Sequence, residues 1–572
     1  MRDDEVVRST GHDVAEFEPA VSPARRFGLI LLWVVIAGIT RWLAFLVPVL
    51  DIDETAHIVG SWELLRGGLL YTDFVDNKPP LVYAYYACAQ WLAGPTLIGV
   101  RAVTTLVVVP FTAHAVSACF GHTRRGIAAA TAFLLYSSAF LAHDMLSANA
   151  EILMVLPGAW ALAVINTEAK ATVAWRAALA GVLLGIACLF KHQIAMWLPA
   201  VMLVAAWAAW RRGALPRAGL VAGAMALGWS LPLVATWSWF RAHGGEQAMV
   251  YWLVTSNLGY AANPIRLGEA GERALANLMP FVIVTAPLWW AASIGRRSDE
   301  PDYQRALAAT VLVASVPPVF VGLRFFPHYF IQLYVPLALA AAPALEAWVT
   351  ARPGLRAGRI VVAWTTAVVS VAMVMNAVLY FGENRIYRET DPIYRRVAER
   401  LCVEGCDAGA TLFVWGYGPP FYYESRLRPA TRFVVVVQSR LTPYVPGNRG
   451  SQRRLRDADS KVIVPEHWDW LMADLERHHA TYILDAAPSR LYGWDAFPID
   501  DYPRLRDYLK RHYALLDTIG GVRVYRRSDA GRRDTTGSEG ATSRTSAANA
   551  PAPDAHHAAR SQLSHRSFSV MK

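Results

Sequence analysis

The feature that most constrains the fold is a series of long apolar runs between residues 27 and 381. A membrane-spanning helix needs about 20 apolar residues, because the hydrocarbon core of a bilayer is about 30 Å thick. Eleven runs meet or approach this length: 27–50, 97–119, 126–142, 151–167, 174–190, 194–210, 218–240, 275–294, 306–323, 328–349 and 360–381. A further run, 79–94, is shorter and aromatic, and it is predicted to lie at the membrane interface. The sequence therefore predicts a polytopic α-helical membrane protein with about eleven transmembrane helices and additional interfacial helices.

The composition agrees with a membrane protein and argues against a cytosolic enzyme. Hydrophobic residues make up 54% of the chain and charged residues only 17%, whereas an ordinary soluble domain has about 25% charged residues. The net charge of +10 could suggest nucleic-acid binding, but the arginines form short clusters between the apolar runs. Such clusters are typical of cytoplasmic loops, so no nucleic-acid partner is expected.

The basic clusters also predict the orientation. If 79–94 does not cross the membrane, every second loop is basic and falls in the cytoplasm. These clusters are Arg25 and Arg26; Arg124 and Arg125; Lys170 and Arg176; Arg211, Arg212 and Arg217; Arg296 and Arg297; and Arg352, Arg356 and Arg359. The N-terminus is therefore predicted in the cytoplasm and the C-terminal part outside.

Composition divides the chain into four parts. Residues 1–26 form a polar cytoplasmic segment and 27–381 the transmembrane domain. Residues 382–527 combine β-branched runs with helical patterns and predict an extracytoplasmic α/β domain. Its expected strands are 411–415, 432–437, 481–485 and 521–525, and its expected helices are 465–478 and 502–512. Residues 528–572 are polar and small, and a disordered tail is expected there.

Two of the five cysteines, Cys402 and Cys406, fall in the predicted outer domain. An oxidising compartment favours a disulfide between them. The competing interpretation is half of a zinc site, but no second pair of Cys or His at a suitable spacing completes it.

A cluster of acidic residues follows the first apolar run, in the segment VLDIDETAH. It contains Asp51, Asp53 and Glu54, followed by His57. Carboxylates beside the lipid are costly and are therefore candidates for a functional site. The alternative is that they solvate the end of one helix and cap the next, with Asp53 as the N-cap of a helix over 54–66.

A second polar cluster, DFVDNKPPLVY, begins at residue 73. Lys78 precedes two prolines, which restrict the backbone and hold the ammonium at the start of the interfacial segment. A fixed cation at this place suits a phosphate or pyrophosphate group. The alternative is an ordinary lysine that extends its charge to the interface.

The order of these motifs resembles that of the GT-C membrane glycosyltransferases. The first module contains DxDE, the amphipathic WELLRGG, then DNKPPL, and Arg101 after a further apolar run. It is similar to the branch that contains protein O-mannosyltransferases and the lipid A aminoarabinose transferase. Later segments that fit the same family are SANAE at 147–151, LFKHQIA at 189–195, RFFPHYFIQLYVPL at 324–337 and VWGYGPPFYYESRLRPATRF at 414–433.

The resemblance implies a GT-C fold and transfer of a sugar from a polyprenyl-phosphate carrier to an acceptor outside the membrane. It places the catalytic carboxylate at Asp53, with Glu54 adjacent. An acceptor hydroxyl needs a base, and the leaving lipid phosphate needs a cation. Lys78 is the first candidate for holding the donor phosphate, and the other candidates are Lys191, Arg324 and His328.

Further polar residues are candidates for acceptor binding or an auxiliary role: Asp144, Glu151, Asp76 and Tyr329. The segment that contains Asp144 and Glu151 could instead be a helix-capping loop. These acids could hold a divalent ion, Mg or Mn, through oxygen. The DxD pattern typical of a metal site in the family is not recognisable in this second loop, so metal dependence stays open.

The sequence thus predicts an inverting glycosyltransferase of the bacterial inner (cytoplasmic) membrane. Its expected partners are a polyprenyl-phosphate-linked sugar, membrane lipid, and an envelope lipid, glycan or protein acceptor. The alternative functions are a non-catalytic transporter or flippase for lipid-linked glycans, or an assembly subunit. A transporter would place charged residues deep within several spans, whereas here they gather at one face.

Overall fold

The structure is a computed structural model. It describes residues 22–165, 174–211, 215–262, 265–294, 303–350, 356–381, 392–405, 409–444 and 462–528. The predicted disordered tail lies outside these residues except for Ser528, and the predicted cytoplasmic segment lies outside them up to residue 21.

Among the described residues, seven helices are long and apolar enough to cross a membrane: Pro23–Thr40, Leu97–Ala118, His192–Arg211, Pro216–Ala242, Tyr303–Leu323, Pro327–Trp348 and Ala357–Phe381. The helices Leu267–Val284 and Ala286–Ile294 meet at a bend of 55° and make an eighth span if they are taken together. Ala150–Ile165 and Ala174–Cys188 are shorter apolar helices. The chain is therefore a multi-pass membrane protein.

Among the residues that the structure describes, helices of full spanning length do not reach the predicted count of eleven. Each of the eleven predicted runs overlaps an observed helix, but some of these helices are short. The helix Arg124–Tyr136 has 13 residues and is only about 20 Å long. Tyr136 is followed by polar residues, Ser137 and Ser138, whose hydroxyl groups bond back to the carbonyl oxygen of Leu134.

The short segment 79–94 forms a single helix, Pro80–Ala93. It begins at the proline pair and ends at Gly94, whose φ of 90° is in the left-handed region that glycine tolerates. It packs against the helix Ile52–Leu65, and Trp62 donates a hydrogen bond from Nε1 to Oε1 of Gln90 over 2.8 Å. This pair of helices supports the two polar segments that the sequence analysis selects.

Shorter helices connect these elements. They include Ala142–Met145, Glu246–Val250, Ser256–Ala262 and the 3-10 helix Trp42–Phe45. The spans Tyr303–Leu323 and Pro327–Trp348 themselves contain 3-10 segments, at Pro317–Leu323 and Pro327–Phe330. Single π-helical turns interrupt three helical regions at Thr104–Val108, Tyr251–Thr255 and Ala274–Leu278.

The C-terminal part is an α/β domain with one five-stranded sheet. Its strands are β1 (Thr411–Trp415), β2 (Arg428–Pro429), β3 (Tyr482–Asp485), β4 (Tyr513–Ile519) and β5 (Val522–Arg527). The order is β2-β1-β3-β5-β4, with β1 parallel to β2 and β3, and β5 antiparallel to β3 and β4. The accompanying helices are Pro392–Gly405, Pro419–Ser425, Pro465–His478 and Pro503–His512. Cys402 is disulfide-bonded, and its predicted partner, Cys406, lies outside the described residues.

One predicted strand is wrong. The valine-rich run 432–437 is not a strand, although residues Phe433 to Val437 are all buried. Val435 forms an isolated β-bridge with Tyr417, which lies just after β1, and a 3-10 helix follows at Val436–Gln438. The apolar character of this run therefore reflects burial on all sides and not strand pairing.

The C-terminal domain contacts the membrane domain directly. The backbone N–H of Val75 donates to the carbonyl oxygen of Arg432 over 3.0 Å, and the guanidinium of Arg428 lies 3.3 Å from a carboxylate oxygen of Glu63. The guanidinium of Arg426 lies 4.7 Å from the ring centroid of Trp62. These contacts fix β2 and its neighbouring segments against the C-terminal end of the helix Ile52–Leu65 and against Val75.

Candidate active site

A cavity of about 1320 Å³ lies where the C-terminal domain meets the membrane domain. The membrane domain contributes both polar and apolar residues to the lining of this cavity. The polar and aromatic lining includes Asp51, Asp53, Asn77, Lys78, His143, Asp144, Lys191, Gln193, Asn257, Tyr260, Arg273, His328 and Tyr329. The apolar lining includes Leu141, Met196, Leu253, Val254, Leu258 and Val321. Such a lining can accept both a charged head group and a hydrocarbon chain.

The N-terminal capping of the helix Ile52–Leu65 determines where the side chains of Asp53 and Glu54 lie. Asp51, and not Asp53, is the N-cap of the helix Ile52–Leu65. An oxygen of Asp51 accepts from the backbone N–H of Asp53 over 3.0 Å, and Glu54 completes a capping box. The helix thus begins two residues earlier than the sequence predicts, and Asp53 lies in its first turn at the cavity.

Asp53 contacts groups from both domains. Its Oδ2 lies 3.9 Å from Nζ of Lys78, and its Oδ1 accepts a hydrogen bond from the hydroxyl of Tyr417 over 2.9 Å. Burial raises the pKa of Asp53, but Lys78 and nearby histidines outweigh this effect, so its pKa lies below the usual range. Asp53 is therefore ionised at neutral pH.

Lys78 is held at the start of the helix Pro80–Ala93. The hydroxyl of Tyr71 donates to the carbonyl oxygen of Lys78 over 2.8 Å, and the two following prolines restrict the backbone. Burial opposes the charge of Lys78, but the carboxylates of Asp53, Asp76 and Glu151 outweigh it and raise its pKa above the ordinary value. The structure thus brings the ammonium and the carboxylate of Asp53 together in one cavity.

A second cluster surrounds Asp144. Its two oxygens lie 2.6 Å from Nδ1 of His328 and 2.8 Å from Nε2 of His143. Asp51 faces the same group, and burial together with the charges of Asp53 and Asp144 raises the pKa of Asp51 to about 7. Asp51, Asp144 and His328 each offer a ligand atom within 4.8 Å of the others. Two carboxylates and an imidazole are a usual ligand set for a divalent metal ion, so these residues fit one.

Lys191 forms a third charged group in the cavity. Its ammonium lies 2.9 Å from Oε1 of Glu151 and 5.7 Å from the ring centroid of Tyr329. Nε2 of His328 lies 4.0 Å from the same carboxylate oxygen, which joins this group to the Asp144 cluster. Of the predicted residues, the structure therefore brings Asp53, Lys78, Asp144, Lys191, His328 and Tyr329 to the cavity lining, with Glu151 in contact behind it.

Glu54, predicted as a catalytic neighbour of Asp53, lies outside the cavity lining. It is fully buried, and its Oε1 lies 3.1 Å from Nε of Arg101 and accepts a hydrogen bond from the backbone N–H of Ala148 over 2.7 Å. Arg101 also donates to the carbonyl oxygens of Val47 and Pro48. Glu54 is thus part of the packing between helices.

Arg324 and Asp76 also lie outside the lining. The guanidinium of Arg324 is buried and stacks on Tyr260, 3.7 Å from its ring centroid, and Tyr260 separates it from the cavity. Asp76 accepts hydrogen bonds from the hydroxyl of Tyr83 over 2.7 Å and from the backbone N–H of Asn77 over 2.6 Å. It therefore shapes the segment that presents Lys78.

Several residues at the cavity were not predicted from the sequence, among them His143, Tyr417, Tyr492 and Arg273. His143 directly precedes Asp144 in the sequence, and this adjacency is the signal that could have identified it. Tyr417 lies in VWGYGPP, a segment selected for its resemblance alone, and Tyr492 follows no recognisable motif. Arg273 is a further cation of the lining.

No protein-family model and no curated protein matches the sequence, but solved structures do. The crystal structure of ArnT from Cupriavidus metallidurans bound to undecaprenyl phosphate aligns with a TM-score of 0.57 and 14% sequence identity, over 88% of this chain and 98% of ArnT. Its apo structure aligns over the same shares with a TM-score of 0.53 and 14% identity.

The archaeal oligosaccharyltransferase AglB from Archaeoglobus fulgidus, in complex with an inhibitory peptide and a dolichol-phosphate, aligns with a TM-score of 0.43 and 12% identity. The alignment covers 89% of this chain and 75% of AglB. The ArnT alignments extend through both the helical part and the C-terminal domain, since they cover nearly nine-tenths of this chain. The chain therefore has the GT-C fold, and the fold predicted from its motifs is confirmed.

Proposed function

We propose that this protein is an inverting glycosyltransferase that transfers a monosaccharide from a polyprenyl-phosphate carrier to an envelope lipid, glycan or protein. The observation that carries the proposal is the contact of Asp53 with Lys78 inside a cavity that is lined by both charged and apolar residues. The ArnT structure with the same fold binds undecaprenyl phosphate, which supports a lipid phosphate as the donor carrier. The reaction takes place on the outer face of the bacterial cytoplasmic membrane.

In the proposed reaction Asp53 is the general base. The hydroxyl oxygen of the acceptor forms a bond to the anomeric carbon, and its proton passes to the carboxylate of Asp53. The bond between the anomeric carbon and the phosphate oxygen breaks, and the polyprenyl phosphate leaves with the electron pair. The lowered pKa of Asp53 keeps its carboxylate ionised, so it can accept a proton when the acceptor arrives.

The cations of the cavity stabilise the leaving phosphate. Lys78 contacts the phosphate directly in this proposal, which its position 3.9 Å from the carboxylate of Asp53 supports. Lys191 and His328 stand nearby and add positive charge, although each already has a carboxylate partner. Charge stabilisation of this kind is effective because the side chains of Lys78 and Lys191 are mostly buried. Asp144, Glu151 and Tyr329 position these cations.

A divalent ion, if bound, would be held by Asp51, Asp144 and His328, and it would supply further positive charge near the phosphate. The steps assigned to Asp53 and Lys78 do not depend on it.

Replacement of Asp53 by Asn tests the base. The gene is deleted, and the envelope lipids, glycans and proteins are compared by mass spectrometry to identify the missing sugar. Wild-type protein should restore this modification, and D53N should lower it by about 100-fold or more, because general-base catalysis contributes about this much. D469N is the matched control, since Asp469 is an exposed carboxylate of the C-terminal domain, 2.8 Å from Arg504.

The same strain tests Lys78. K78M should bind undecaprenyl phosphate more weakly and restore less of the modification, whereas K510M, a change of an exposed lysine, should behave as wild type. The membrane level and thermal unfolding of each variant are measured in parallel. Full modification by D53N at normal expression would reject the proposal and favour a transporter or an assembly subunit.

A further inference from the structure

The cavity has one wall without charge. Among the described lining residues, those of the C-terminal domain are Tyr417, Val437, Gln438, Tyr444, Tyr492 and Gly493, and none of them is ionisable at neutral pH. The facing wall of the membrane domain carries Lys78, Lys191 and Arg273. The two walls therefore suit different parts of the reacting molecules.

Two tyrosines form the part of the neutral wall next to the base. The rings of Tyr417 and Tyr492 are 4.8 Å apart at an interplanar angle of 35°. Tyr492 is 49% exposed, although it is a large aromatic residue beside a cavity. It has a φ of 54° and precedes Gly493, with a φ of 72°, so its backbone adopts the left-handed region that bulky residues rarely occupy. Backbone strain of this kind is concentrated at binding sites.

The contacts of Asp53 show which substrate this wall faces. Oδ2 of Asp53 is directed towards Lys78, where the proposed function places the donor phosphate, and Oδ1 is directed towards Tyr417. In an inverting displacement the acceptor oxygen approaches the anomeric carbon on the side opposite the leaving phosphate. The side of Asp53 that faces Tyr417 is therefore the acceptor side.

We propose that Tyr417 and Tyr492 form an acceptor subsite that binds a sugar ring. This inference rests on the proposed function and extends it to the class of acceptor. A pyranose ring has an apolar C–H face that packs on aromatic rings, and its hydroxyls need neutral hydrogen-bonding groups. Gln438 supplies such a group, because it lines the cavity and its neutral amide can both donate and accept hydrogen bonds. The acceptor is thus a glycan or the sugar head group of a glycolipid.

Saturation-transfer NMR tests the subsite on the purified full-length protein saturated with undecaprenyl phosphate. The probes are methyl β-glucoside, methyl α-mannoside and N-acetylglucosamine, with a blocked serine peptide as the competing class. At least one sugar should receive saturation, and Y492A should weaken this signal by about fivefold, as expected for the loss of an aromatic contact. Y492F keeps the ring and should retain the signal, and L515A, a change of an exposed side chain of β4, is the control.

Three results would overturn the inference. The first is saturation transfer to the peptide but to none of the sugars, and the second is an equal saturation-transfer signal of the sugar with the wild type and with Y492A. The third is a loss of undecaprenyl phosphate binding by Y492A, which would place Tyr492 on the donor side. In cells, Y492A should lose the modification while it still binds undecaprenyl phosphate. If D53N is inactive but Y492A modifies the envelope normally, the subsite is wrong and the proposed function stands; if D53N is active, the proposed function itself fails.

Discussion

Two adjacent carboxylates, Asp53 and Glu54, illustrate what a sequence can resolve at the scale of the residue. The motif identifies both as candidates, but successive residues on a helix point about 100° apart. Asp53 therefore faces the cavity, while Glu54 is buried against Arg101. Which of the two faces the cavity depends on the capping residue, which is Asp51 and not Asp53, the residue considered as a possible cap from the sequence.

The buried position of Glu54 predicts that its replacement lowers the stability of the protein and does not affect the catalytic step. E54Q leaves the guanidinium of Arg101 without its carboxylate, and breaking a buried ion pair costs about 3–5 kcal/mol. We expect a lower thermal unfolding temperature in detergent, with binding of undecaprenyl phosphate retained at low temperature. E466Q, a change of an exposed glutamate, is the control. If E54Q lost transfer at an unchanged unfolding temperature, Glu54 would have a catalytic role after all.

The hydrogen bond from Tyr417 to Asp53 predicts a change in pH dependence. This bond contributes to the low pKa of Asp53, so Y417F should raise that pKa. The base works only when ionised, and activity falls as the pH drops through its pKa. The acidic limb of the pH profile of transfer should therefore move to higher pH in Y417F. Measurement in membranes that retain the native donor and acceptor tests this, and an unshifted limb would contradict it.

At the scale of the element, helices are better predicted than strands and spans. The apolar runs identify the helices because each must satisfy its backbone hydrogen bonds within the lipid. Length is less predictable, since Leu267–Val284 and Ala286–Ile294 form a bent pair and Arg124–Tyr136 ends early. The valine run 432–437 has the composition of a strand, but burial alone explains its residues.

The close packing of two helices predicts the effect of a single methyl group. A Cβ at Gly60, in the helix Ile52–Leu65, would lie 2.6 Å from the ring of Tyr83 and 2.8 Å from that of Phe74. G60A should therefore push apart the two helices that carry Asp53 and Lys78, at a cost of about 1–3 kcal/mol. G28A is the matched control, because nothing lies within 4 Å of the corresponding position.

Thermal unfolding and binding of undecaprenyl phosphate measure this effect. G60A should lower both the unfolding temperature and the affinity, and G28A should change neither. Equal unfolding temperatures for G60A and G28A would show that the helices can accommodate the extra methyl group.

At the scale of the whole molecule, the candidate site is composed of residues far apart in the sequence. Asp53 and the Tyr417 that contacts it are separated by 364 positions. The order of the motifs and the alternation of basic loops predicted the GT-C fold, and the motifs predicted most of the cationic residues of the cavity. Both kinds of signal are local in the sequence. The neutral wall was not predicted, since it depends on how the C-terminal domain packs against the membrane domain.

The most direct test is an experimental structure of the protein with undecaprenyl phosphate. We predict that the phosphate contacts the ammonium of Lys78 on the Oδ2 side of Asp53, and that the lipid chain packs along the apolar residues of the cavity lining. A phosphate bound away from Lys78, for example beside Arg324 and behind Tyr260, would contradict the account.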